Sequence, residues 1–253
     1  MIPKMPGFRL DGKTALITGA GRGIGLAAAA ALAQSGAHVT LVARSETELR
    51  SACTSIEALG GVSNYAVLDV TDSGRVSEFV VAKGPFNILV NSAGMNRPMP
   101  LLELEDEDLD AMMALNVKSA FYVSRAVARG LIESGQGGSF INVSSQMGHV
   151  GSPCRTVYCA SKHAIEGMTK ALAWELGAHG IRVNTLCPTF IETALTQTMF
   201  ENPGFREWVT SKIALERIGH VEEVMGPVVF LASDASSLMT GSALMLDGGW
   251  TAA

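Results

Sequence analysis

Thr14-Ala-Leu-Ile-Thr18-Gly19-Ala20-Gly21-Arg22-Gly23-Ile24-Gly25 is the stretch on which the reading of this chain turns. A short β-branched run ends in a glycine-rich turn, and an alanine- and leucine-rich helical pattern over residues 23–35 follows at once. Glycines in such a turn let the backbone bend tightly and come close to a pyrophosphate. The start of the next helix offers that group free N–H donors and a positive dipole end. The spacing is G-x-x-x-G-x-G rather than G-x-G-x-x-G, so the glycines alone say little. Their place between a first strand and a helix makes Gly19, Gly21, Arg22, Gly23, Ile24 and Gly25 candidate nucleotide contacts.

Working outward, short strand patterns alternate with longer helical ones, the signature of βαβ units and a parallel sheet. Further strands are expected at 38–43, 62–68, 88–91, 139–144, 182–187 and 243–246. Ser45 and Glu48 form a capping box for a helix whose buried stripe is Leu49, Cys53, Ile56 and Leu59. Thr71 is expected to cap a helix running to about 82, and one long helix is expected over about 105–133. Helices at 156–176 and 221–231 complete the pattern. Residues 189–213 break it: Phe200, Phe205 and Trp208 stand among polar residues with no strand signal. That segment reads as a badly packed helix pair or a mobile cover over a site.

The bulk numbers fit one domain spanning 1–253. A chain of 253 residues, 47% hydrophobic and 17% charged, can bury a substantial core without disulfide or metal staples. A net charge of −5 argues against nucleic-acid binding, which needs a basic face. Lys4, Arg9 and Lys13 followed by Ala31-Leu32-Ala33 imitate a signal peptide, but the glycines and Arg22 interrupt the apolar region. No apolar run is long enough to span a bilayer. Cys53, Cys154, Cys159 and Cys187 have no metal-site spacing. A reduced, cytoplasmic protein that binds no metal and no membrane is expected.

Tyr158 and Lys162 lie four apart on an expected helix and therefore share one face. With Thr18-Gly19, Gly23-Ile24-Gly25, Asn91-Ser92-Ala93-Gly94, Asn116, Ser145, Asn184, Pro188, Thr193 and Asp247-Gly248-Gly249, the chain resembles the short-chain dehydrogenase/reductase family along nearly its whole length. The resemblance implies a three-layer α/β Rossmann fold, a seven-stranded parallel sheet with helices on both faces. It also implies a homotetramer, expected to form through the 105–133 and 156–176 helices. Ser92, Thr189 and Asn87 depart from the family pattern without removing a catalytic group.

The residue chemistry suits hydride transfer between a nicotinamide and a secondary alcohol or ketone. A phenol with a pKa near 10 needs a neighbouring cation to act as a base at neutral pH, and Lys162 is expected to supply it. Tyr158 is then the general acid/base, and Ser145 orients the substrate oxygen. By resemblance, Lys162 also holds the nicotinamide ribose and Asn116 fixes a proton-relaying water. Asp69 and Val70 match adenine contacts, Asn91, Ala93 and Gly94 the backbone beneath the adenosine, and Pro188, Ile191 and Thr193 the carboxamide contacts.

NADP(H) is expected over NAD(H), with NAD kept open. The second strand ends Val42-Ala43-Arg44, so Ala43 stands where an NAD-type site carries its acidic residue. Arg44 and Arg22 can pair with a 2′-phosphate, and Glu46 is the nearest carboxylate in sequence. Asn96, Arg97, Gln146, His149 and Arg155 are expected near the substrate mouth and suit a hydroxylated or anionic molecule. Residues 95–200 are similar to the family's sugar and sugar-acid dehydrogenases, such as gluconate 5-dehydrogenases. A 3-oxoacyl-carrier-protein reductase is the alternative, and a non-catalytic nucleotide sensor is the alternative of another class.

Overall fold

The computed structural model describes residues 2–252, apart from the side chains of Ala194, Leu195 and Thr198. One sheet holds β1 (Thr14–Thr18), β2 (His38–Ala43), β3 (Val62–Val67), β4 (Ile88–Asn91), β5 (Gly138–Val143), β6 (Ile181–Pro188) and β7 (Ala243–Leu246). Its order is β3-β2-β1-β4-β5-β6-β7, with every pair parallel. The chain winds outward from β1 to β3 and then returns to lay β4 against the other side of β1. That reversal opens a crevice at the carboxyl ends of β1 and β4, where Thr18 is aligned with Asn91.

The helices are α1 (Gly23–Gln34), α2 (Glu46–Ala58), α3 (Ser73–Lys83), α4 (Asp106–Met113), α5 (Ser119–Glu133), α6 (Thr156–Gly177), α7 (Ala194–Phe200), α8 (Pro203–Ser211) and α9 (Glu222–Ala232). Strand alternation sends side chains to two separate cores. Ala15, Ile17 and Val39 face Leu32 of α1, Leu49 of α2 and Val228 of α9. Leu16, Val42 and Phe140 face Val80 of α3, Val127 of α5 and Leu176 of α6. A sheet buried on both faces explains the near-continuous apolar runs of its central strands.

Three local expectations are corrected. The 105–133 helix is interrupted: between α4 and α5 the backbone takes a π-helical turn over Ala114–Lys118, placing Asn116 in the bulge. Asp72, not Thr71, caps α3, its carboxylate accepting from the N–H groups of Gly74 and Arg75 at 3.0 Å each. Strand β3, at the sheet edge, ends at Val67, one residue short.

The 189–213 segment forms α7 and α8, and this pair is well packed. Phe190, Phe200, Phe205, Trp208 and Trp250 stack in a chain of ring contacts with centroids 5.7–5.9 Å apart. Met147 and Tyr158 join the same cluster. Trp250, from the C-terminal end, supplies the packing that the segment lacks in its own sequence. Among the described residues, no helix is long and apolar enough to cross a membrane.

Candidate active site

A cleft of about 480 Å³ follows the carboxyl edge of the sheet. At one end it is lined by Arg44, Asp69 and Val70, in the middle by Gly19, Gly21, Arg22, Gly23, Ile24 and Gly25, and at the other by Ser145, Tyr158 and Lys162. Ala93, Gly94, Pro188, Ile191 and Thr193 complete its walls. The size suits a cofactor and a small substrate together.

The glycine turn is shaped for close approach. Gly19 has φ +66°, and a Cβ on it would lie 2.8 Å from the Cα of Ala93. A Cβ on Gly25 would meet the Gly19 carbonyl oxygen at 2.3 Å. Any side chain at either position would push the turn away from β4 and close the gap. Thr18 locks the two strand ends together, its hydroxyl accepting from the N–H groups of Ser92 and Ala93 at 3.1 and 3.2 Å.

Asn91 is the cofactor candidate that does not reach the cleft. Its side chain is buried inside the fold and donates to Ser124 Oγ at 3.0 Å and to Asn142 Oδ1 at 2.8 Å. Asn142 in turn donates to Thr169 at 2.8 Å, so the network ties β4 and β5 to α5 and α6. Successive strand residues face opposite sides of the sheet, and at position 91 the side chain faces the helix layer. Ser92, one residue on, lines the cleft instead.

The Arg44 end holds a carboxylate that sequence order hid. Glu48, not Glu46, lies in the cleft, with an Oε2 that would stand 2.9 Å from a Cβ on Gly21. Its other oxygen is 3.4 Å from Arg22 Nη1. Glu46 points elsewhere, to Arg50 at 2.9 Å and the Tyr65 hydroxyl at 3.3 Å. Two residues along a helix turn the side chain by about 200°, which separates the two glutamates. Asp69 is held below its usual carboxylate range, chiefly by hydrogen bonds from the Thr71 N–H and hydroxyl, with Arg44 adding attraction.

At the other end, three catalytic candidates converge. Ser145 is buried after β5; its Oγ donates to Gln146 Oε1 at 2.7 Å and accepts from Met147 N at 3.1 Å. Tyr158 and Lys162 occupy the first turns of α6, with Lys162 Nζ 5.6 Å from the phenol ring centroid. Lys162 Nζ donates to the Val143 carbonyl at 2.8 Å.

The expected lowering of the phenol is reversed. Burial pushes Tyr158 above its ordinary value, while contact with the Ser145 hydroxyl and the nearby charge of Arg155 pull the other way. Burial also lowers the Lys162 ammonium to about 8. Desolvation is the largest cause for both groups.

Asn116 does not line the cleft. Its carboxamide donates to the Met95 carbonyl at 2.9 Å and to Ser161 Oγ at 3.1 Å, and accepts from Met95 N–H at 2.8 Å. It fastens the loop after β4 to the helix that carries Lys162.

Of the substrate-mouth candidates, Asn96 and Gln146 line the cleft. Arg97 is withdrawn into an ion pair with Asp108. His149 turns to a cluster behind the catalytic groups, its Nε2 lying 3.5 Å from Glu166 Oε1 and 3.6 Å from Cys187 Sγ. The Cys187 thiol donates to Glu166 at 3.3 Å. Three elements contribute to that cluster, so no spacing in the sequence announces it. Arg155 is buried beside Tyr158, and Phe190 and Met199 pack on it.

A family model described as enoyl-(acyl carrier protein) reductase matches residues 19–251. The chain is 41% identical over 248 residues to a gluconate 5-dehydrogenase of Gluconobacter oxydans, covering 96% of each. It is 43% identical over 246 residues to a 3-oxoacyl-[acyl-carrier-protein] reductase of Thermotoga maritima, covering 96% of this chain and 99% of that protein. A gluconate 5-dehydrogenase from Burkholderia cenocepacia, solved in complex with NADP and tartrate, matches with a TM-score of 0.93 at 37% identity. That match covers 97% of this chain and 98% of the other.

Proposed function

The chain belongs to the short-chain dehydrogenase/reductase family, and on that premise we propose that it is an NADP(H)-dependent enzyme interconverting a secondary alcohol and a ketone on a polyhydroxylated small molecule. The observation that carries the reading is one cleft with Arg44 at one end, the glycine turn and Arg22 in the middle, and Ser145, Tyr158 and Lys162 at the other end. The residues fit a dinucleotide: Gly19, Gly21, Gly23 and Gly25 present bare backbone on the cleft wall, and α1 begins at the turn. Arg44 and Arg22 would hold the 2′-phosphate. Lys162 would hold the nicotinamide ribose, with Pro188, Ile191 and Thr193 beside the ring.

Bound NADP(H) supplies the hydride and, when oxidised, a positive charge beside the phenol. Tyr158, kept protonated by its burial, is ready to donate to a carbonyl oxygen that Ser145 also hydrogen-bonds. In the reverse direction the Lys162 ammonium is the group that favours the phenolate. Asn116 has both carboxamide N–H groups engaged and one acceptor site left on Oδ1, so it would act chiefly by holding the loop at Met95 against α6.

Substrate polarity is supported by three buried atoms without hydrogen-bond partners: Asn96 Oδ1, Gln146 Nε2 and Thr189 Oγ1. All three side chains belong to residues of the cleft wall. Hydroxyl groups on a substrate would satisfy them. The relatives named for gluconate oxidation favour the same class. The relative named as an oxoacyl-carrier reductase favours the alternative.

The test is a spectrophotometric panel with NADP⁺ or NADPH: aldonates and alditols, their keto forms, and an acetoacetyl thioester. Turnover of the polyhydroxylated set with NADP⁺ or NADPH supports the reading. Turnover of the thioester alone would replace it with the carrier-protein reductase, and nucleotide binding without turnover would make the protein a sensor.

Residues 189–213 act as the lid of this site, and four chains assemble through α5 and α6. Phe121 of α5 and Trp174 of α6 support the assembly, being 47% and 90% exposed in the single chain. A monomeric mass by light scattering at micromolar concentration would refute it.

A further inference from the structure

Glu166 is a buried carboxylate that the hydride chemistry does not use. It sits on α6, one turn beyond Lys162, and is 6% exposed. Its Oε2 accepts from the Thr185 hydroxyl at 3.0 Å. Its Oε1 faces two groups from other elements, the Cys187 thiol of β6 at 3.3 Å and His149 Nε2 at 3.5 Å. Those two lie 3.6 Å from each other. Among the described residues, no lysine or arginine makes an ion pair with this carboxylate.

The local chain is shaped to bring the three together. His149 follows the short turn Gln146–Gly148 after β5, and that turn sits directly on α6. A Cβ on Gly148 would stand 2.8 Å from Ser144 Oγ and 3.1 Å from Glu166 Cγ, so only glycine allows the approach. Ser144 Oγ is itself buried with no hydrogen-bond partner, and it lies close enough to the Cys187 thiol to pull its pKa down. A polar atom left over beside three metal-ligating side chains points to a ligand at this spot.

The distances decide which kind of ligand. A zinc ion bound tetrahedrally to one sulfur, one imidazole nitrogen and one carboxylate oxygen holds those atoms about 3.4–3.6 Å apart. The three separations here, 3.5, 3.6 and 3.3 Å, already match those edges to within about 0.3 Å. The Thr185 hydroxyl holds the second carboxylate oxygen, the kind of outer contact that fixes a ligand's orientation. Entry is open from one side, because the His149 side chain is 31% exposed.

We propose that His149, Glu166 and Cys187 form a binding site for a divalent transition-metal ion such as Zn²⁺, with water in the fourth position. As the metal–sulfur bond forms, the thiol proton passes to solvent. Burial holds the free thiol's pKa up to about 12, so a hard cation such as Mg²⁺ does not displace that proton, whereas a thiolate-binding metal does. The cysteines have no metal-site spacing because only one of them takes part and its partners come from two other elements. A bound ion would clamp the segment after Ser145 to the helix of Tyr158 and Lys162 and to the strand that ends at Pro188. The proposal holds whatever the substrate.

The experiment adds Co²⁺ and then Zn²⁺ to the full chain, freed of any purification tag and stripped with chelator. Co²⁺ should give a near-ultraviolet thiolate-to-cobalt charge-transfer band and the visible bands of a tetrahedral ion, and Zn²⁺ should abolish both. Cys187→Ser should lose the charge-transfer band, while Cys154→Ser with Cys159→Ser should keep it. His149→Ala, at the exposed edge of the cluster and so the variant most certain to fold, should weaken Zn²⁺ binding at least about 10²-fold. Zn²⁺ should raise the melting temperature of the native protein, hardly that of His149→Ala, and Mg²⁺ should raise neither. A native protein that gives no charge-transfer band, or a band that survives Cys187→Ser, would overturn the proposal. So would equal Zn²⁺ affinity in native protein and His149→Ala, or an equal response to Mg²⁺.

Discussion

The ammonium of Lys162 reaches across from α6 to the Val143 carbonyl, 2.8 Å away and two residues before Ser145. One hydrogen bond therefore joins the helix that carries Tyr158 to the strand end that leads into Ser145. It also holds a buried charge with a single neutral acceptor, which sets the proton chemistry of the site and part of its stability.

Replacing Tyr158 by Phe keeps the ring in its aromatic cluster and removes only the hydroxyl. Turnover should fall at least about 10²-fold while NADP(H) affinity, read by fluorescence titration, stays within a few-fold. Near-native turnover would dismiss Tyr158 as the acid/base.

Burial holds Lys162 at about 8 against an ordinary 10.5, so between those values the unfolded chain binds more protons than the folded one. Stability from this group therefore rises with pH across that window, and below it the folded state carries a penalty of order 3 kcal/mol. Lys162→Met removes the charge but leaves the Val143 carbonyl unbonded, costing back about 1–2 kcal/mol. The inactive variant should thus be about 1–2 kcal/mol more stable than native at pH 7, and the difference should shrink as pH rises from 8 to 10. Urea denaturation at four pH values measures it, and a variant less stable than native at pH 7 would contradict it.

If Arg22 holds the 2′-phosphate, Glu48, 3.4 Å from its Nη1, competes for it. Glu48→Gln should raise kcat/KM for NADP(H) about 3–10-fold, and Arg44→Ala should lower the NADP(H)-to-NAD(H) ratio about 10-fold or more. Ala43→Asp combined with Arg44→Ala should favour NAD(H) outright. A native preference for NAD(H), or no shift in the double variant, would show that this corner does not read the phosphate.

The four thiols should react in a fixed order. Cys154 is exposed and Cys159 half-buried, whereas Cys53 and Cys187 are buried, with burial pushing the Cys187 thiol up to about 12. At pH 8 an aromatic disulfide reagent should modify Cys154 first and Cys187 only after unfolding. Peptide mapping that finds Cys187 labelled early in the folded protein would count against the packing described for it.

If α7 and α8 close over the site, NADP⁺ with substrate should slow proteolytic cleavage within 189–213. Identical cleavage rates with and without ligands would argue for a fixed wall.

Short-range features are legible in the amino-acid sequence itself. The glycine turn after β1, the shared face of Tyr158 and Lys162, and the missing acid at Ala43 follow from the local periods of strand and helix, which residue spacing reports directly. Exact cap positions and the π-helical turn at Asn116 are not, because partners such as Met95 and Ser161 decide them from far along the chain. The aromatic packing of α7 and α8 needs Trp250 in the same way. Only the tertiary structure separates Glu48 from Glu46, turns Asn91 inward, takes Arg97 and His149 away from the cleft and leaves Arg155 buried without an acid. Burial reverses the direction expected for Tyr158. Desolvation and pairing depend on every group that arrives around a side chain, and that neighbourhood is assembled from distant segments, so the sequence names the candidate catalytic residues but not the charges around them.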